Sequence, residues 1–181
     1  LDMNLIIDVG NTFVKFAVFQ QDSLVEKKSV SGEFFLKEFK NIIKNHKEID
    51  KCIISSVGKL NNQDVNYLQK KLKTFVLNSE TKLPFKNLYE TPKTLGVDRI
   101  ALVCASVEQF PDKNVLIIDA GTCITYDFIT TKNEYLGGAI SPGIRLRYQA
   151  LHNLTANLPL LETKMPESSI GNSTASSIHS G

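Results

Sequence analysis

The sequence predicts an α/β protein built from two similar halves. This prediction rests on a recurring order: an apolar strand, a turn containing Asp, Gly and Thr, a second strand, another turn, a third strand and a helix. The order starts at residues 4–9 and returns at residues 115–119. Both of these runs are almost wholly apolar, which is typical of strands buried on both faces of a sheet.

The remaining elements follow from periodicity and turn residues. The first half continues with strands at residues 13–19 and 24–30, and then with a helix whose apolar stripe is Leu36, Phe39 and Ile43. A strand at 52–57, a helix near 65–72 and a strand at 74–77 complete it. A polar loop at 79–94 precedes a buried helix at 100–110. The second half is predicted to contain strands at 123–130 and 135–140 and a helix at 144–154.

These elements predict two domains, residues 3–114 and 115–181. The second half is much shorter than the first, so we expect it to be incomplete and the natural protein to continue beyond Gly181. Residues 168–181 are rich in Ser, Thr and Gly, a composition that by itself predicts a flexible tail.

Composition excludes several classes of protein. Of the 181 residues, 42% are hydrophobic, which is enough to form a sizeable core. The 21 basic and 19 acidic residues nearly balance, which argues against a sequence-independent nucleic-acid binder. No apolar run approaches the roughly 18 residues of a membrane-spanning helix. The three cysteines are widely spaced and lie in apolar runs, so we expect reduced thiols in a soluble, cytoplasmic protein with no membrane partner.

The two turns, Asp8–Thr12 and Asp119–Thr122, are the strongest functional signal. We call them the first turn and the second turn. Glycine lets the backbone turn sharply and approach a ligand, and successive N–H groups in such a turn form an anion site. The aspartate would repel phosphate unless it held a metal ion or its water shell. Ordinary hairpin turns are the alternative, which the presence of two copies makes less favourable.

Three further segments leave alternatives open. Lys15 is either a solvated strand residue or a phosphate ligand. Gly96–Arg99 either begins a helix, with Asp98 favourable in its first turn, or supplies a base and an anion-binding arginine. Gly137 and Gly138 either allow close packing or contact a ligand. The three histidines have no metal-ligand spacing.

Taken in order, these motifs resemble those of type III pantothenate kinases, within the superfamily of acetate and sugar kinases, Hsp70 and actin. The matching text is DVGNT at Asp8, a tyrosine at Tyr89 followed by GVDR at Gly96, DAGTCIT at Asp119, GGAISPG at Gly137 and IGNST at Ile170. Cys123 departs from the small alanine usual in this family.

The resemblance implies a duplicated ribonuclease H-like, actin-like ATPase fold, with two domains around a nucleotide cleft. It implies ATP-dependent phosphorylation of pantothenate to 4′-phosphopantothenate, the first step of coenzyme A biosynthesis. It also implies a homodimer, a divalent cation such as Mg²⁺ bound with ATP, and an activating monovalent cation, K⁺ or NH₄⁺.

The resemblance also assigns roles to residues. Asp98 matches the general base, and Asp119 matches the ligand of the monovalent cation. The residues matching ATP contacts are Asp8, Val9, Gly10, Asn11, Thr12, Phe13, Val14, Lys15 and Thr122. Those matching pantothenate contacts are Tyr89, Gly96, Val97, Asp98, Arg99 and Thr174. A substrate role for Thr174 would require an ordered C-terminal segment, contrary to its composition.

Competing functions are a regulatory protein that binds nucleotide without turnover, a chaperone-like ATPase and a sugar kinase. Asp98 beside Arg99 argues against the first, because a simple binder needs no base. No segment resembles the peptide-binding domain that the second would need. The third usually has a longer chain.

Overall fold

The computed structural model describes residues 2–58 and 61–181. Its strands are β1 Met3–Val9, β2 Val14–Gln20, β3 Ser23–Val30, β4 Ile49–Ser56, β5 Lys73–Val76, β6 Lys86–Asn87, β7 Val115–Ala120, β8 Cys123–Ile129 and β9 Glu134–Pro142. Its α-helices are α1 Phe35–Asn45, α2 Asn62–Lys71, α3 Val97–Gln109, α4 Ile144–Leu154 and α5 Thr174–Ser180. Short 3-10 helices form at Gly32–Phe34 and Pro92–Thr94.

The first sheet has five strands in the order β3-β2-β1-β4-β5. Strands β1, β2 and β3 form an antiparallel meander, whereas β4 runs parallel to both β1 and β5. This is the mixed arrangement of a ribonuclease H-like sheet. The predicted α/β, ribonuclease H-like class is therefore confirmed.

The main core lies on one face of this sheet. Alternate residues of β1 and β2 point into it, and α1 covers it with Phe35, Phe39 and Ile42. The predicted stripe on α1 was rotated by one residue, because Leu36 and Ile43 are only partly buried while their neighbours Phe35 and Ile42 are buried. The ring of Phe16 packs against that of Phe35 in a tilted arrangement, with a centroid distance of 5.6 Å, which holds the helix against the strand.

The second sheet has four strands in the order β6-β9-β8-β7. Strand β6 runs parallel to β9 and lies inside the segment predicted to be a loop. The short β6 was missed because two residues carry no periodicity. Helix α4 spans the residues predicted from the sequence.

Two other predictions are corrected. Helix α3 begins at Val97 rather than residue 100, so Asp98 and Arg99 belong to its first turn. The tail contains helix α5, contrary to the composition. The Ser173 side chain accepts a hydrogen bond from Ser176 N–H, and the Ser176 side chain accepts one from Ser173 N–H. This reciprocal cap compensates for the weak helix propensity of a Ser-rich sequence.

The chain divides into two compact units. Unit 1 comprises the chain up to Val115 together with Ile129–Gly137, and unit 2 comprises Leu116–Phe128 and Gly138–Gly181. The domain bounds given above stay a prediction. In the described part of the chain, every helix is too short or too polar to cross a membrane.

Candidate functional site

The first turn joins β1 to β2 in unit 1. The Gly10 N–H donates to the Phe13 carbonyl at 3.0 Å, which closes the turn. Residues Val9 and Val14 on either side are buried in the core. The turn is therefore held from both ends by packed strands, while Asn11 and Thr12 between them are exposed.

A second segment, at the end of β4, holds the first turn from outside. The N–H groups of Val57 and Gly58 both donate to the Val9 carbonyl at 3.0 Å. A Cβ atom on Gly58 would lie 2.3 Å from the Gly10 carbonyl oxygen, closer than a side chain can approach. Gly58 is thus required by this backbone contact, and the sequence analysis did not single it out. Gly58 could have been found by expecting β4 to pair in parallel with β1, because that pairing brings the ends of both strands to one edge of the sheet.

A cavity of about 430 Å³ opens above the first turn. Besides Val9–Val14, it is lined by Gly32, Gly58, Asn61 and Asp64. Asn61 caps α2 by accepting a hydrogen bond from Gln63 N–H at 2.9 Å, so its side chain is fixed. The cavity is concave and bordered by backbone, as a site for a phosphate chain should be.

Asp8 and Lys15 face each other across β1 and β2. They are paired in register, and Lys15 Nζ lies 3.4 Å from Asp8 Oδ2. Their side chains are 35% exposed for Asp8 and 54% for Lys15, on the side of the sheet away from the core. An exposed pair of this kind contributes little to stability, about 0–1 kcal/mol, so both groups remain available to a ligand.

The second turn lies in unit 2, between β7 and β8. The Gly121 N–H donates to the Cys123 carbonyl at 2.9 Å, and the Gly143 N–H donates to the Thr122 carbonyl at 3.0 Å. A Cβ atom on Gly143 would lie 2.2 Å from the Gly121 carbonyl oxygen. Asp119 at the end of β7 is exposed.

The Gly96–Arg99 segment begins α3 in unit 1. Asp98 is partly buried, and its Oδ1 accepts a hydrogen bond from Arg99 N–H at 2.8 Å. A Cβ atom on Gly96 would lie 2.4 Å from that same oxygen, so glycine leaves room for the carboxylate. The same Cβ would be 3.8 Å from Val57, the residue whose N–H binds Val9. The structure thus brings the start of α3 next to the segment that holds the first turn.

Tyr89 and Arg99 lie together in unit 1. The Arg99 guanidinium carbon is 5.6 Å from the centre of the Tyr89 ring, and Arg99 is only 6% exposed. The segment therefore starts a helix, as the first interpretation of Gly96–Arg99 predicts, and it also carries an arginine held against an aromatic ring. The base and the anion-binding arginine of the second interpretation stay a prediction.

Thr174 is the first residue of α5 in unit 2 and is exposed. The IGNST motif has a structural role in this helix start. A Cβ atom on Gly171 would lie 2.2 Å from Ser177 N, and Asn172 N–H donates to the Ser176 hydroxyl at 2.9 Å. The motif folds into a tight cap that presents Thr174.

The predicted site residues thus fall into two groups. Unit 1 contains the first turn with Lys15, the start of α3 and Tyr89, whereas unit 2 contains Asp119, Thr122 and Thr174. Among the described residues, no group of three or more His, Cys, Asp or Glu side chains could hold a metal ion. Mg²⁺ bound with a nucleotide is often held by one or two carboxylates together with phosphate oxygens.

A larger apolar cavity, about 860 Å³, lies in unit 2 between α4 and the segment around Met165. None of the predicted site residues lines it.

Comparison with known proteins identifies the family. The family model for type III pantothenate kinase matches residues 4–181. A protein of that name from Christiangramia forsetii is 54% identical over 179 residues, covering 99% of this chain and 74% of the relative. This chain belongs to the type III pantothenate kinase family.

Other relatives agree with this membership. The type III pantothenate kinases of Flavobacterium psychrophilum and Bacteroides fragilis are 48% and 44% identical, each over 99% of this chain and over 74% and 73% of their own length.

Solved structures support the fold alone. A conserved Campylobacter jejuni protein assigned to the Baf family of transcriptional activators has a TM-score of 0.62 at 24% identity, covering 97% of this chain and 72% of its own. An Aquifex aeolicus Ppx/GppA phosphatase has a TM-score of 0.50 at 14% identity, covering 83% of this chain and 55% of its own.

Proposed function

We propose that this protein transfers the terminal phosphate of ATP to the hydroxyl of pantothenate, giving ADP and 4′-phosphopantothenate, the first step of coenzyme A biosynthesis. The observation that carries the proposal is the placement of Asp98 and Arg99 beside the segment that holds the first turn, in a chain of the type III pantothenate kinase family. The reaction takes place in the cytoplasm, where ATP and coenzyme A synthesis are found.

The first turn is the phosphate-binding segment for ATP. Its role is supported by the cavity above Val9–Val14, with exposed Asn11 and Thr12 at the rim. Backbone N–H groups and the Thr12 hydroxyl bind phosphate oxygens, and Lys15 adds a positive charge. Thr122 has the corresponding role in the second turn.

Asp8 orients the divalent cation that accompanies ATP. Its exposed carboxylate is a hard oxygen ligand, and binding through one carboxylate plus phosphate oxygens suits Mg²⁺. When bound, the ion neutralises charge that builds up on the phosphates during transfer. Lys15 close to Asp8 limits the repulsion between this carboxylate and the nucleotide.

Asp98 accepts the proton of the attacking hydroxyl as the new P–O bond forms and the bond to ADP breaks. Its Oδ1 is held by Arg99 N–H, and within the described part of the chain the carboxylate makes no other side-chain hydrogen bond. Arg99 binds the carboxylate of pantothenate, and Tyr89, Gly96 and Val97 border the same substrate.

Asp119 binds an activating monovalent cation, K⁺ or NH₄⁺. This carboxylate is exposed at the end of β7 and lies beside the backbone of the second turn.

Thr174 contacts pantothenate in a homodimer. Size-exclusion chromatography with light scattering should give twice the mass of the chain; a monomer at all concentrations would remove the dimer from the proposal.

The deciding experiment is an ADP-release assay on the purified protein with and without pantothenate. We expect pantothenate-dependent ADP release that increases with KCl or NH₄Cl, together with a product whose mass is that of 4′-phosphopantothenate. An equal rate of ADP release with and without pantothenate would contradict the kinase function. Nucleotide binding without turnover would instead favour an accessory protein.

The role of Asp98 is tested by Asp98→Asn, which keeps the size of the side chain and removes the base. We expect kcat to fall by about 100-fold or more, because general base catalysis typically contributes 10²–10⁴-fold. Asp22→Asn, in the exposed β2–β3 turn, is the matched control and should behave like the wild type. Wild-type kcat in Asp98→Asn would remove the base assignment.

A further inference from the structure

Gly137 and Gly138 are the pair in β9 whose role the sequence left open. Gly137 has φ +103°, a conformation that side chains rarely allow, and a Cβ atom on it would lie 3.3 Å from Cδ2 of Tyr89. Gly138 serves a different purpose, since its Cβ atom would collide with the Tyr126 carbonyl oxygen. Gly137 thus leaves space for the face of the Tyr89 ring.

Tyr89 also packs against Tyr135. The two rings are stacked, with centroids 6.1 Å apart and planes inclined by 25°. Tyr135 is fully buried, and Phe85 packs edge-on against it at 5.9 Å. The Leu88 N–H donates to the Tyr135 carbonyl at 3.0 Å, so backbone and ring both fix the approach of Tyr89. Tyr89 N–H donates to the Asn87 side chain at 3.0 Å.

Arg99 rests on this aromatic stack. Its guanidinium carbon lies 5.6 Å from the Tyr89 ring centre, and the residue is 6% exposed. A buried guanidinium depends on its neighbours for direction, because few water molecules reach it. Tyr89 is one of the neighbours that fix where Arg99 points, so a change in its tilt should alter the direction of the guanidinium.

We propose that Tyr135 and Gly137 are positioning residues for the substrate carboxylate: they fix the Tyr89 ring, and through it the direction of the Arg99 guanidinium. This inference rests on the proposed function, in which Arg99 binds pantothenate. Neither residue needs to touch the substrate, so their effect should fall on pantothenate binding and not on ATP binding.

The first test measures substrate affinity in Tyr135→Leu, which keeps an apolar residue but removes the ring. We expect the Kd for pantothenate to rise about tenfold, the size of a lost aromatic pair, while the Kd for ATP changes by less than about twofold. Tyr135→Phe keeps the ring and should restore most of the affinity. Gly137→Ala should raise the pantothenate Kd in the same way.

Phe39→Leu is the matched control for lost stability. Phe39 is also a fully buried aromatic residue of unit 1, but its aromatic partner is Tyr67. This variant should lower the melting temperature without changing the pantothenate Kd. Equal changes in the ATP and pantothenate affinities of Tyr135→Leu, or no change in either, would overturn the positioning role.

A second readout does not depend on catalysis. The chain has five tyrosines, so ¹³C labelling of tyrosine rings gives a spectrum simple enough to assign. We expect the Tyr89 signals to shift in Tyr135→Leu and Gly137→Ala but not in Phe39→Leu; unmoved Tyr89 signals would overturn the inference. If wild-type protein bound no pantothenate, the proposed function would fail, while the ring signals would still decide whether Tyr135 positions Tyr89.

Discussion

The first and second turns are closed in the same way but differ in the surroundings of their aspartates. Each turn is closed by a glycine N–H, from Gly10 to Phe13 and from Gly121 to Cys123, and the second is one residue shorter. Each is packed against a further glycine, whose Cβ atom would lie 2.3 Å from the Gly10 oxygen or 2.2 Å from the Gly121 oxygen. The same close glycine packing in both turns indicates that each turn requires a fixed backbone conformation.

The two turns differ in the second residue after the one whose carbonyl accepts the closing hydrogen bond. In the first turn this position is Lys15, which pairs with Asp8 at 3.4 Å. In the second turn it is Thr125, whose buried hydroxyl makes no hydrogen bond among the described residues. Asp119 makes no ion pair within the described part of the chain, whereas Asp8 has Lys15 beside it. The proposed roles of the two aspartates, with a divalent ion at Asp8 and a monovalent cation at Asp119, predict that the two sites respond to different ions.

The largest expected effect comes from Gly58→Ala and Gly143→Ala. Each added methyl group would meet backbone oxygen, which cannot move aside cheaply, so we expect each to lower the free energy of unfolding by about 3 kcal/mol. Denaturant unfolding measures this loss. Gly32→Ala is the control, since its Cβ atom would meet nothing within 4 Å. If Gly143→Ala left the free energy of unfolding unchanged, the two turns would not be supported by glycine in the same way.

The second prediction separates the two aspartates. Asp8→Asn and Asp119→Asn should each lower kcat/KM by about 100-fold, as expected when a charge that stabilises the transition state is removed. Titration of both salts distinguishes them: Asp8→Asn should respond to added Mg²⁺, and Asp119→Asn to added K⁺. Identical responses of the two variants to both salts would contradict the assignment of the divalent ion to Asp8 and the monovalent cation to Asp119.

The third prediction concerns Cys123, which occupies in the second turn the place of Phe13 in the first. Cys123 is exposed, whereas burial raises the pKa of Cys52 to about 12, which leaves almost no thiolate at neutral pH. A maleimide should therefore label Cys123 at least about tenfold faster than Cys52. Labelling should inactivate the protein, and ATP should slow it.

Peptide mass spectrometry locates the label of that experiment. Cys123→Ala should stay active and resist inactivation by the maleimide. Inactivation of Cys123→Ala at the wild-type rate would show that another thiol is responsible. Burial also raises the pKa of Cys104, so this thiol should react more slowly than Cys123.

The smallest effect on stability is expected for Lys15→Met. An exposed ion pair contributes about 0–1 kcal/mol, so the free energy of unfolding should change by less than about 1 kcal/mol. The KM for ATP should nevertheless rise, because a positive charge near the phosphates is lost. Thr125→Val, the corresponding change in unit 2, should leave stability equal or slightly higher because it removes an unpaired buried hydroxyl. An unchanged KM for ATP in Lys15→Met would leave Lys15 as a surface residue only.

Much of the fold could be predicted because its signals are local. The apolar runs of β1 and β7 and the alternation in β2 predicted strands close to their observed bounds. Helix α4 was predicted after the Ser141-Pro142-Gly143 segment, and it begins and ends where it was expected. Residues with local turn chemistry, such as Gly10 and Gly121, were found for the same reason.

The errors arise where an element depends on neighbours that are distant in the chain. The burial of Phe35 and Ile42 is decided by the sheet under α1, to which Phe35 packs through Phe16. Strand β6 exists because it pairs with β9. Helix α5 depends on a serine cap that composition hides.

The sequence by itself determined the α/β class and the two turns, because strand periodicity and glycine backbone freedom act over a few residues. The residues expected to form a kinase site came from the resemblance of its motifs to a known family. Only the tertiary structure decided that Gly58 and Gly143 support these turns and that Tyr89 stacks on Tyr135 beneath Arg99. Most of those contacts join residues more than twenty positions apart in the sequence, and no local pattern encodes which distant neighbour a glycine or an aromatic ring will meet.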